Sequence, residues 1–196
     1  MRFPELVLRL PGWIENLIED PRKIYPTPED RMSLVIQLSL LNIKHGTGGP
    51  FGAAIFDCVQ KRLISVGVNL VIPFCCSVAH AEIVAIALAQ QVTQQYNLGS
   101  RDMPAYELVT STEPCAMCFG AIPWSGVRRL VNGARQEDAM SIGFDEGPRP
   151  SNWIYELERR GVIVERDVLR ESAAAVLRRY HEFGGAIYNG GSGDIV

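Results

Sequence analysis

The stretch Pro114-Cys115-Ala116-Met117-Cys118 places two thiols three residues apart directly behind a proline. Residues three apart on a helix share a face, so both sulfurs can reach one atom. A helix N-terminus also favours thiolates through its dipole and unpaired N–H groups. Alone, the spacing fits either a redox pair or half of a zinc site. The partners for a metal lie upstream, in His80-Ala81-Glu82 at the head of an alanine-rich run. Two helix starts that meet offer one imidazole and two thiolates, leaving the fourth position of a tetrahedral zinc open to water. Zn²⁺ with two thiolates and a neutral histidine is formally neutral, so bound water keeps more acidity than a third thiolate would allow. Glu82 would stand beside that water as a carboxylate able to take and return protons. A structural zinc or plain core packing competes for the trio, and a solvated helix charge for Glu82. The apolar neighbours Ala81, Ile83 and Val84 count against the last of these.

The elements that must position these groups follow from periodicity and punctuation. Thr27, Glu29 and Asp30 open an apolar-periodic helix that runs through Lys44 and stops at His45-Gly46. Phe51 to Cys58 and Leu63 to Leu70 read as a β-hairpin. Ala79 to Gln95 reads as a buried helix, Tyr106 to Thr110 as a short apolar run, Cys115 to Trp124 as a short helix and Val127 to Asn132 as a strand. A helix over Ser151 to Arg160, a strand over Val162 to Glu165 and a helix from Leu169 to Phe183 complete the pattern, with Gly184-Gly185 as the stop. Strands alternating with helices in the second half predict a layered α/β sheet with parallel neighbours.

Composition excludes several classes of function. A chain of 196 residues, 47% hydrophobic, is sized for one well-buried domain. A net charge of −3, with arginine pairs scattered among carboxylates, lacks the electrostatic footprint of a nucleic-acid binder. The N-terminal stretch carries Glu5 and Arg9 without a small-residue cleavage site, and no run is long enough to span a bilayer. Five cysteines, two of them vicinal at Cys75-Cys76, argue for a reducing, cytoplasmic setting. Cys75 and Cys76 lie near His80 as rival ligands, Cys58 suits a buried strand, and His45 and His181 fall at helix C-termini, where dipole pairing accounts for them.

The paired motifs HAE at 80–82 and PCAMC at 114–118 resemble those of the cytidine deaminase-like zinc deaminase superfamily. GGPFGAAI at 48–55, Asn69, EPCAMCFGAI and GFDEG at 143–147 look like the small zinc guanine deaminases, and FDEGPRPSNW with the late GGAIYN like the bacterial branch that also handles ammeline. The resemblance spans about residues 29 to 190. It implies a three-layer α/β/α fold with a mixed five-stranded sheet. It divides the chain into an N-terminal extension (1–28), a zinc deaminase domain (29–183) and a tail (184–196).

What the resemblance implies chemically is hydrolysis of guanine to xanthine and ammonia, with Zn²⁺ on His80, Cys115 and Cys118. Glu82 is then the first proton shuttle and Glu146 the second, with Asp145 as its rival. Asn69 offers a donor and an acceptor to a purine edge. Phe51 and Phe144 are placed to sandwich a flat base, with Trp124 as a further wall. The family also implies ligand contacts at the backbone of Ala81 and Cys115, a homodimer, and a C-terminal segment (186–196) carrying Tyr188 that closes over the pocket. On residue statistics alone the aromatics are more often core, Asn69 a turn residue, and the 145–146 acids ordinary loop surface. A deaminase of another base or nucleoside (guanosine, a pterin, ammeline, cytosine), a tRNA adenosine deaminase, and a non-enzymatic zinc-stabilised binding module are the alternatives.

Overall fold

The computed structural model of the protein describes residues 3–190. Five strands form one mixed sheet in the order β2-β1-β3-β4-β5: β1 (Gly52–Asp57), β2 (Leu63–Val68), β3 (Tyr106–Thr112), β4 (Arg129–Ala134) and β5 (Ile163–Glu165). β1 pairs antiparallel with both β2 and β3, whereas β3, β4 and β5 run parallel. The helices are α1 (Trp13–Leu17), α2 (Pro28–Lys44), α3 (Ala81–Thr93), α4 (Ala116–Ser125), α5 (Gln136–Met140), α6 (Trp153–Glu158) and α7 (Arg170–Glu182).

Strand alternation sorts the core into two faces. Ala54, Phe56, Val109 and Val131 pack with Met32, Val35 and Leu38 of α2. Ala53, Ile55, Leu108 and Leu130 pack with Ala81, Ala85 and Ala89 of α3, Ile122 of α4 and Leu157 of α6. The result is the expected three-layer arrangement. α2 begins where the sequence predicts it: Thr27 and Asp30 exchange side-chain and backbone hydrogen bonds in a capping box, with Pro28 just inside. α3 lies directly on β2, because a Cβ at Gly67 would sit 2.1 Å from the Ala81 carbonyl oxygen. That close approach fixes the height of the α3 N-terminus, and His80 with it.

Two features differ from the sequence reading. α1 and α5 are five residues each, too short to show a helical period. β3 extends to Thr112, which pairs with Ala134, so the parallel ladder reaches the edge of the motif Glu113-Pro114-Cys115. The segment before α2 is packed on the sheet: Ile14 and Tyr25 are buried, and the buried Arg31 guanidinium donates to the Tyr25 carbonyl while its Nε lies 2.6 Å from Glu107. No helix among the described residues is long and apolar enough to cross a membrane.

Candidate active site

His80 and Cys115 are the N-cap residues of α3 and α4, both with extended backbone, and Cys118 stands in the first turn of α4. The β2–α3 and β3–α4 connections thus bring two helix N-termini face to face. His80 Nδ1 lies 3.5 Å from Cys115 Sγ and 3.6 Å from Cys118 Sγ. Zn–S and Zn–N bonds of ordinary length at a tetrahedral angle predict a nitrogen–sulfur edge of roughly 3.6 Å. The two observed edges meet that value, so the donor set and its spacing fit zinc with three protein ligands. This is the one such cluster of histidine, cysteine and acidic groups among the described residues.

The electrostatics agree with a cation site. Hydrogen bonding from Cys118, and then from His80, holds the Cys115 thiol down at about 4 despite burial. The same Cys115 contact, followed by burial, pushes Cys118 well above an ordinary thiol. For His80 burial is the largest influence and opposes protonation, but the Cys115 hydrogen bond and the charges of Glu82, Cys115 and Glu146 outweigh it and raise the imidazole. Glu82 is buried beside the trio, and its carboxyl is raised to about 7, chiefly by desolvation and then by Cys115. Glu146 is also buried and raised to about 8 for the same two reasons, with Glu82 as the third.

His80, Cys115, Glu82 and Glu146 line one cavity of about 140 Å³ that also takes in Asn69, Phe51, Phe144, Asp145 and Tyr188, with Cys118 buried behind it. Within it the two acids of the 143–147 loop part ways. The Asp145 carboxylate accepts from the Gly147 amide at 2.9 Å and the residue is exposed, whereas Glu146 turns inward and is buried. Gly147 (φ +69°) makes this turn, and a Cβ there would press on Ala116 Cβ at 3.1 Å. Asp145 is therefore a turn residue, and Glu146 is the acid that faces the trio.

The aromatic expectations need correction. The rings of Phe51 and Phe144 meet edge to face with centroids 5.0 Å apart, so they touch each other and leave no slot for a base between them. They form one continuous wall instead, which Tyr188 extends at 5.1 Å from Phe144. Trp124 does not line the cavity. It stands six residues beyond Cys118, about 120° around the helix, and is 86% exposed. Ala81, the first residue of α3, is buried and is not part of the cavity lining.

Sequence reasoning passes over four residues that organise the site. Asn42, fully buried in α2, donates to the Gly49 and Asn69 carbonyls, each at 2.9 Å, and so holds the strand end that carries Asn69. Its one advance signal is a polar residue within an apolar helical stripe. Asn189 donates to the Gly143 carbonyl and accepts from the Asp145 amide, tying the tail to the loop of Glu146. Glu113 and Arg149 form a buried ion pair at 2.8 Å between the loop and the start of α4.

Residues 27–134, which include both metal motifs, match the family model described as the cytidine and deoxycytidylate deaminase zinc-binding region. The chain belongs to this deaminase family. As a zinc-dependent deaminase it is an enzyme, and its similarities sharpen the placement. It is 36% identical over 118 residues to guanine deaminase of Bacillus subtilis, covering 60% of this chain and 71% of that protein. Its structure resembles that of the guanine deaminase from Nitrosomonas europaea, at 47% identity and a TM-score of 0.86, over 91% of this deaminase and 97% of that chain. A structure solved in complex with 2,6-diaminopurine is 48% identical, with a TM-score of 0.87 over 93% of this chain and 96% of that one.

Proposed function

We propose that this deaminase hydrolyses guanine to xanthine and ammonia. The observation that carries the reading is the pair of buried carboxylates, Glu82 and Glu146, brought from two elements into one cavity with His80 and Cys115. Guanine hydrolysis adds water at the carbon that bears the amino group, protonates an adjacent ring nitrogen and releases the amine as ammonia, so protons must be delivered at two places. Zinc on the trio would supply the Lewis acidity that makes water a nucleophile at neutral pH. Glu82 takes a proton from the attacking water and returns it to the ring nitrogen. Glu146 faces the amino-bearing edge and carries the second proton. Asn69 reads the base with its amide, and the Phe51–Phe144–Tyr188 wall lies along the ring. The choice of a purine rests on the guanine deaminase relatives and on the neighbour that holds 2,6-diaminopurine.

The experiment is a comparison of kcat/KM for guanine, guanosine, ammeline, adenine and cytosine. Guanine is expected to lead the natural bases, with adenine and cytosine lower by on the order of 10⁴, since a buried polar site rejects analogues that leave its groups unpaired. Ammeline, a triazine with a similar amino-bearing edge, is expected to be turned over as well. Guanosine or cytosine outpacing guanine would overturn the substrate assignment.

The tail fits the role of a lid. Tyr188, Asn189 and Gly190 line the cavity, and the Tyr180 hydroxyl donates to the Ala186 carbonyl at 2.7 Å to set the tail's path. Residues 191–196 of the expected lid lie outside the described residues. The N-terminal extension, the 29–183 domain and the tail are the three parts we assign to the chain. The five cysteines are all free thiols, which fits a reducing cytoplasm.

A homodimer is the assembly that best suits α4. This helix, Ala116–Ser125, has no charged residue, and it presents Met117 and Trp124 to solvent. An exposed tryptophan on an uncharged helix is the composition of an interface centre. Sedimentation of the native protein is expected to give twice the chain mass, and Trp124→Glu the single-chain mass. A native monomer, or a Trp124→Glu variant that stays dimeric, would contradict this use of α4.

A further inference from the structure

The carboxylate of Glu146 rides on a loop, not on a helix or strand, so no backbone ladder sets its distance from the thiolates. Its height over α4 is set in part by the Ala116 amide, which donates to the Glu146 carbonyl at 2.8 Å. Asn189 and the Asp145–Gly147 turn hold its N-terminal side, and on its C-terminal side the control comes from one guanidinium. Arg149, three residues along the same loop and 4% exposed at its side chain, donates from Nη1 to the Pro114 carbonyl at 2.9 Å and from Nη2 to Glu113 Oε2 at 2.8 Å. Nη2 also contacts Gln136 Oε1, and the guanidinium lies 4.2 Å from the centre of the Trp153 ring. Glu113 is in turn held by Arg166 and by the Gln136 amide at 3.2 Å. The two residues that Arg149 grips on the α4 side immediately precede Cys115. A planar fork therefore spans from the loop of the second carboxylate to the first thiolate ligand.

We propose that Arg149, acting through Glu113 and the Pro114 carbonyl, is the positioning residue that sets Glu146 against the reacting base. It does not line the cavity and does not touch the reacting atoms. The assignment rests on the proton-carrying role given to Glu146 above. Arginine suits the task because one rigid group satisfies a carbonyl and a carboxylate at fixed angles while stacking on an indole, and lysine has one rotatable point charge for all of these. Displacing a reacting group by about 1 Å costs on the order of 10² in rate. Arg149→Lys keeps the buried charge opposite Glu113 but loses the fork.

The test is a double-mutant cycle of Arg149→Lys and Glu146→Gln on the zinc-loaded enzyme, with kcat and KM for guanine, zinc per chain and thermal midpoint measured for each variant. Arg149→Lys is expected to keep its zinc and lower kcat by on the order of 10², with KM little changed. In the Glu146→Gln background the same change is expected to cost almost nothing further, because the group it positions is already disabled. An equal fold-loss in both backgrounds would overturn the proposal, as would an Arg149→Lys enzyme with native kcat. Arg149→Lys that fails to fold is replaced in the cycle by Glu113→Gln, which loosens the same clamp from the α4 side. If Glu146→Gln itself turns over guanine normally, the role of Glu146 fails first, and that result is distinct from failure of the clamp.

Discussion

Glu82→Gln is expected to leave one zinc per chain and a protein that still binds base, while kcat falls by at least about 10²–10⁴. Glutamine keeps the size and one acceptor of the carboxylate but cannot cycle a proton. Burial, and after it Cys115, raises the Glu82 carboxyl to about 7, the direction that suits a carboxylate which must both hold and release a proton. The proposed reaction uses this one group at water and again at the ring nitrogen, so the loss should exceed that of a residue used once. Glu146→Gln is expected to be the next most damaging change, and Asp145→Asn to be mild, because Asp145 spends its carboxylate on the Gly147 amide. Near-native turnover by Glu82→Gln at full zinc content would show that it is not the shuttle.

Cys115→Ser and Cys118→Ser are each expected to abolish tight zinc binding and reduce turnover to background. Serine is a weaker acid than cysteine by many units and does not supply the anionic ligand that a thiolate does at neutral pH. The remaining pair cannot replace it, because each of the three donors already fills its own corner of a tetrahedron, the two sulfurs 3.5 and 3.6 Å from the imidazole nitrogen. Metal analysis after dialysis against a mild chelator checks this, and full occupancy in both variants would contradict the ligand set.

The zinc trio was legible because its signals are local. Two thiols at helical spacing behind a proline, and a histidine with a glutamate two residues later, carry their chemistry in a few consecutive positions. Glu146 and Asn69 are visible only through the family resemblance, and what distinguishes Glu146 from Asp145 is a turn that loop composition does not reveal. Aromatic residues are less legible. Composition says that Phe51, Phe144 and Trp124 are aromatic, but ring orientation depends on packing across three elements, and helical phase put Trp124 on the outer face of α4. Arg149, Glu113, Asn42 and Asn189 act through long-range partners, such as the 36-residue separation between Arg149 and Glu113 and the 46-residue separation between Asn189 and Gly143. A single sequence carries no trace of such pairings.

The measurement that bears most directly on the whole account is product formation from guanine by protein carrying one zinc per chain, with xanthine followed by its absorbance and ammonia by a coupled assay. Xanthine and ammonia are expected in equal amounts, at a rate proportional to zinc content. A fully zinc-loaded, folded protein that forms no xanthine from guanine while releasing ammonia from another base, or from none, would contradict it.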